Sequence, residues 1–207
     1  MNVVIVSGSP NLDLTLLDQL EYEYVIGVDQ GAYALIQAGY RCDLAVGDFD
    51  STSPQEFDAI KSHCEIVTFS AIKNETDTEL ALTIALQRGA KSIHLIGATG
   101  KRLDHFLGTL NLYHRLKGIP MTIYDQYNKI YLIEPGTTLI PKGSYTYISF
   151  FSFGGPVEGL TLEGFKYPLN DYRLENLDSL TISNEIIREV ATVRFREGRL
   201  LVVESRD

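Results

Sequence analysis

Apolar and polar positions follow different rules in the two halves of this chain. The first half repeats short runs that are almost wholly apolar: Asn2–Ser7, Tyr24–Val28, Asp43–Val46, Glu65–Phe69, Ser92–Gly97 and Met121–Tyr124. Near-continuous apolarity, rather than alternation, is what parallel strands covered on both faces require. Between the runs lie segments of helical spacing, at about 12–20, 30–38, 53–62, 77–88 and 104–117. Gly39, Gly89 and Gly118 stand just beyond three of these, where a left-handed residue closes a helix. Strand and helix in alternation predict an α/β domain over residues 1–125, built on a doubly wound, mainly parallel sheet.

Past Asp125 the pattern changes. Lys129–Ile133, Tyr145–Phe151, Val157–Leu162, Ser179–Ser183, Val190–Phe195 and Leu200–Glu204 read as short strands. Turn signals separate them at Pro135-Gly136, Lys142-Gly143, Gly154-Gly155-Pro156 and Glu197-Gly198. The expectation is a small antiparallel β-sandwich domain over residues 129–207, with the polar segment Lys166–Asp178 as a long loop.

Composition narrows the function. A net charge of −9 lacks the basic footprint that nucleic acid requires, so no nucleic-acid partner is expected. No run of eighteen apolar residues exists, so no membrane span is expected. Met1 leads straight into strand-like sequence, so no signal peptide is expected and a cytoplasmic location is the expectation. Cys42 and Cys64 form no C-x-x-C pair and read as two reduced, partly buried thiols.

Several strand ends carry chemistry. The run Leu44–Gly47 delivers Asp48 and Asp50, one residue apart, into the loop beyond it, where open α/β sheets bind ligands. Two such carboxylates repel unless a cation lies between them, and hard oxygen donors without Cys or His select Mg²⁺ or Ca²⁺. One strand earlier, Asp29 ends an apolar run just before Gly31, as a third carboxylate at the same edge or as a helix cap. Thr76 and Glu79 fit a capping box, which puts Asp77 in the first helical turn among free backbone N–H groups. Lys73, just upstream, is a candidate phosphate contact. The stretch Gly97-x-x-Gly100-Lys101-Arg102 lacks the spacing and Ser/Thr of a Walker A loop; it reads as a glycine-rich turn, with Asp104 capping the next helix and His105 in its first turn. His63, His94 and His114 show no metal-ligand spacing.

In order, Asp29-x-Gly31, Gly47-Asp48-Phe49-Asp50-Ser51, Lys73-x-x-Thr76-Asp77, Gly97-x-x-Gly100-x-Arg102-x-Asp104-His105 and Ser183-Asn184-Glu185 resemble the motif set of the thiamine pyrophosphokinase family. The resemblance covers essentially the whole chain. It implies an N-terminal domain for ATP and Mg²⁺, a C-terminal domain contributing to the thiamine site, and a homodimer with active sites at the interface. By the same resemblance, Asp48, Asp50 and Asp77 are metal ligands and catalytic residues, with Asp29 in or just behind them. Lys73, Thr76, Gly100, Arg102, Asp104 and His105 become nucleotide and phosphate contacts, and Ser183 and Asn184 contact thiamine. Ile186 and Ile187 stand where some relatives place an aromatic, and the chain has no Trp. The implied reaction moves the diphosphate of ATP onto the hydroxyl of thiamine, giving thiamine diphosphate and AMP. Alternatives are a pyrophosphokinase for another heterocyclic alcohol, a Mg²⁺-dependent phosphohydrolase that activates water with the same carboxylates, and a non-catalytic nucleotide sensor.

Overall fold

The computed structural model describes residues 1–207 except 70–74, 101 and 177. The chain divides into two compact units, Met1–Gln126 and Tyr127–Asp207.

Six parallel strands form the sheet of the first unit: β1 Asn2–Ser7, β2 Tyr24–Val28, β3 Leu44–Gly47, β4 Glu65–Thr68, β5 Ser92–Ile96 and β6 Met121–Tyr124. Their spatial order is β4-β3-β2-β1-β5-β6. The order reverses at β1, which opens a crevice beyond its C-terminal end, the switch point where doubly wound sheets bind ligands. Four helices connect the strands: α1 Gln30–Gln37, α2 Pro54–His63, α3 Asp77–Gln87 and α4 Leu103–Asn111. Val4, Val6, Val25 and Ala45 on one sheet face pack with Ala32 and Leu35 of α1, Ile60 of α2 and Leu16 and Leu17. Burial on both faces explains the continuous apolar runs, since Val3–Val6 are all within 1% of full burial. Gly39, Gly89 and Gly118 all have positive φ, as their closing positions demand.

The second unit is a sandwich of two antiparallel sheets. β7 Asn128–Ile133, β13 Leu200–Ser205 and β9 Tyr147–Ser152 form one. The other runs in the order β11 Leu169–Leu174, β10 Val157–Glu163, β12 Val190–Phe195, β8 Gly136–Pro141. Ile133, Phe150, Leu200 and Val202 from the first sheet pack against Leu160, Leu162, Leu174 and Val193 from the second.

Four expectations require correction. The segment Lys166–Asp178 is not a long loop, because it contains β11. Pairing of β10 with β11 shifts register twice, and the breaks scramble the period-2 signal while Leu169, Tyr172 and Leu174 still reach the core. Ser179–Ser183 is a turn rather than a strand: the Asp178 carboxylate accepts from the Leu180 N–H at 3.0 Å, and Ser183 has φ 57°. Residues near 12–20 form a 3₁₀ helix, Leu14–Gln19, capped by Asp13. The helix expected over 104–117 begins at Leu103 and gives way to a 3₁₀ turn at Leu112–Arg115, so Asp104 lies inside its first turn and Arg102 holds the cap position.

Among the described residues no helix is long and apolar enough to cross a membrane. Cys42 is buried and Cys64 half-buried, and both thiols are free. Its hydrogen bond to the neighbouring Cys64, together with burial, pushes the Cys42 thiol well up.

Candidate active site

The C-terminal strand ends of the first unit surround a cavity of about 1000 Å³. Asp29, Asp48, Asp50, Thr76, Asp77, Arg102 and His105 all line it. Gly100 and Asp104 are not part of the lining, and Lys73 lies outside the described residues.

The loop after β3 is shaped by its aromatic residue. Phe49 is 6% exposed, packed into the core and edge-on to Phe57 of α2 at 5.3 Å. Its φ of 56° is unusual for a bulky residue and lets the backbone turn so that Asp48 and Asp50, on either side, both border the cavity. The Asp48 carboxylate accepts from the Asp50 N–H at 3.2 Å. Beyond the loop, α2 opens with a complete capping box of Ser53 and Glu56, whose mutual bonds hold the Glu56 carboxyl below its usual range.

Asp29 occupies the cap position of α1 but makes no side-chain cap bond there. Its backbone is strained (φ 46°, ψ −119°), and its carboxylate instead accepts from the Phe49 N–H at 3.4 Å. A Cβ on Gly47 would fall 1.8 Å from Asp29 Oδ1, so only glycine admits the carboxylate at this place. Gln30 was not singled out by the sequence. Its amide donates to Ser51 O at 2.9 Å and to Thr52 Oγ1 at 3.4 Å, tying α1 to the Asp48–Asp50 loop.

The opposite wall comes from α3 and α4. Thr76 Oγ1 accepts from the Glu79 N–H at 3.2 Å, but the Glu79 carboxylate turns to Arg115, so only half of the expected capping box forms. Asp77 and Thr78 border the cavity, with Thr78 Oγ1 3.1 Å from Ser7 Oγ. At Gly97, φ is 79° and a Cβ would meet Ser7 O at 2.1 Å, which lets the loop after β5 lie against the end of β1. Arg102 pairs with Asp104 at 2.5 Å and holds that carboxyl down at about 2. Both side chains are more than 60% exposed, so the pair is a surface clasp whose guanidinium an anionic ligand can recruit.

In the second unit, Ser183 and Asn184 differ sharply. Asn184 is 2% exposed. Its Oδ1 accepts from the Tyr167 N–H at 3.0 Å and the Glu185 N–H at 2.9 Å, while Nδ2 donates to Tyr167 O at 2.8 Å. Ser183 is exposed, and its backbone N–H donates to Ser149 Oγ at 3.0 Å.

Among the described residues no three His, Cys, Asp or Glu side chains gather closely enough to enclose a metal ion. The donor set still suits Mg²⁺, which keeps several waters and takes one or two carboxylates together with substrate phosphates.

Two family models match the chain: the thiamin pyrophosphokinase catalytic domain over residues 18–124 and the thiamin pyrophosphokinase vitamin B1 binding domain over residues 137–200. The chain belongs to the thiamin pyrophosphokinase family. The thiamine pyrophosphokinase of Bacillus subtilis (strain 168) is 40% identical, over 98% of both chains. Among solved structures, the Bacillus subtilis thiamine pyrophosphokinase superposes with a TM-score of 0.93 at 36% identity, with both chains fully covered. The Geobacillus thermodenitrificans enzyme gives 0.89 at 35% identity, covering 100% of this chain and 98% of that one. Yeast thiamin pyrophosphokinase shares the fold at 0.82 with 13% identity, covering 99% and 86%.

Proposed function

We propose that the chain transfers the diphosphate of ATP to the hydroxyl of thiamine, producing thiamine diphosphate and AMP with Mg²⁺ as cofactor. One observation carries this reading: in a chain of this family, Asp29, Asp48, Asp50 and Asp77 line a single cavity that also receives Arg102. The thiamine hydroxyl oxygen bonds to the β-phosphorus of ATP. The bond from the β-phosphorus to the oxygen that bridges it to the α-phosphorus breaks, the electron pair staying on that oxygen in departing AMP, and the hydroxyl proton passes to an acceptor among the aspartates. Such transfers depend on in-line positioning and charge neutralisation more than on covalent help. Bound Mg²⁺ would neutralise phosphate charge. Asp48 and Asp50 would hold it, aimed by the inward Phe49 and by the brace from Gln30. Asp77 completes the set from the first turn of α3, and Arg102 exchanges Asp104 for phosphate oxygen.

Ser183 is the exposed member of the thiamine pair, and Asn184 supports it by fixing the turn. We place the enzyme in the cytoplasm as a homodimer. Leu103 and Leu107, 76% and 59% exposed one turn apart on α4, are the apolar surface that pairing would cover.

The test follows AMP and thiamine diphosphate together from ATP, Mg²⁺ and thiamine. Equal amounts, with no AMP when thiamine is omitted, support the reading. AMP without thiamine would point to hydrolysis, and no turnover would contradict catalysis.

A further inference from the structure

The cavity is not chemically uniform. Its acidic floor and Arg102 carry charge. Its remaining side, between the loop after β1 and the outer face of α1, is lined by Pro10, Leu12, Tyr33, Ala34 and Gln37, none of them charged. Gln30, Tyr33, Ala34 and Gln37 follow the i, i+3, i+4, i+7 spacing that places them on one helix face. Seven residues at 1.5 Å each put Gln37 about 10 Å along the axis from Gln30, which borders the acidic end. The facing loop is anchored: Ser9 Oγ donates to Thr99 O at 2.6 Å, and the Leu12 N–H donates to Ser9 O at 3.3 Å.

We propose that this α1 face is the purine subsite for ATP, with the Tyr33 ring as stacking platform and the Gln37 carboxamide reading the edge of the base. The inference rests on the reading of the cavity as the ATP site. Tyr33 is half-buried and packed against the core, so its ring is held in place before any ligand arrives. Gln37 is exposed, and its Nε2 donates weakly to the Tyr33 hydroxyl at 3.4 Å. Its carbonyl and second N–H remain to form the donor–acceptor pair that complements adenine N6 and N7. A neutral heterocycle belongs against this uncharged side, and a polyphosphate belongs against Arg102 and the bound cation.

The experiment measures steady-state constants for ATP, GTP and thiamine in wild type, Tyr33→Ala, Tyr33→Phe, Gln37→Leu, His105→Ala and Thr109→Val. Tyr33→Ala should raise KM for ATP about tenfold, with KM for thiamine and kcat changed less than about twofold. Tyr33→Phe keeps the ring and should stay near wild type. Gln37→Leu should reduce the preference for ATP over GTP about fivefold or more. If Tyr33→Ala does not fold, the exposed Gln37 still decides through that ratio. Unchanged ATP constants in Tyr33→Ala, or an unchanged ratio in Gln37→Leu, overturn the subsite; a rise confined to His105→Ala and Thr109→Val would move the base to the α4 wall. A wild type that turns over no ATP removes the parent reading before any variant is compared.

Discussion

The two units hold their motif residues in opposite ways. In the first, backbone strain, a glycine and an inward aromatic leave Asp29, Asp48 and Asp50 bordering one cavity. In the second, the motif asparagine turns inward and binds the backbone of Tyr167 and Glu185, leaving only its serine neighbour in solvent. Motif membership therefore does not by itself assign a side chain to substrate. Burial and hydrogen-bond partners make that distinction.

Breaking the first region should have the largest effect. Asp48→Asn and Asp50→Asn each remove a charge without changing volume, and each should lower kcat by at least about 100-fold with Tm nearly unchanged. Either variant near wild-type rate at saturating Mg²⁺ would take that residue out of the catalytic set. Breaking the second region should act on stability instead. Asn184→Ala strands three backbone groups and should cost roughly 2–3 kcal/mol in denaturant unfolding. Ser183→Ala should leave unfolding unchanged and raise KM for thiamine roughly fivefold. If the two variants exchanged these effects, the contrast between the residues would collapse.

A smaller effect tests the support beneath the carboxylate loop. Glu56→Ala removes the half of the α2 capping box in which the Ser53 N–H donates to the Glu56 carboxylate at 2.8 Å, and should lower Tm by about 2–4 °C at pH 7. Because Ser53 holds the Glu56 carboxyl below its ordinary value, this stabilisation is complete above the unfolded pKa near 4.3. It is lost as pH falls through the lower folded value. Melting curves should therefore show a constant gap between pH 8 and 5 that narrows below about pH 4. A gap that persists at pH 3 would show that the ionised Glu56 carboxylate contributes none of the effect.

Much of the first unit was legible because burial on both faces leaves an unbroken apolar signature, as in Val3–Val6. β11 was hidden because its bulged pairing keeps Leu169, Tyr172 and Leu174 off a period of two. The carboxylates were legible as residues placed just beyond strand ends. Gln30 was not, since its function arises from a contact with Ser51 and Thr52 across two loops, and glutamine has no spacing signal of its own. Nor could sequence tell that Asn184 is buried while Ser183 beside it is exposed. The left-handed turn at Ser183 decides that.

The central claim is that these carboxylates complete a cation site only together with nucleotide phosphate, since no three acidic side chains gather alone among the described residues. Mn²⁺ titration followed by electron paramagnetic resonance, with and without a non-transferable ATP analogue, tests it most directly. Binding should be weak for the protein alone, tightened by the analogue, and reduced by more than about tenfold in Asp48→Asn, Asp50→Asn and Asp77→Asn but not in Ser183→Ala. Tight Mn²⁺ binding without nucleotide, or nucleotide-dependent binding untouched by all three aspartate substitutions, would contradict the account.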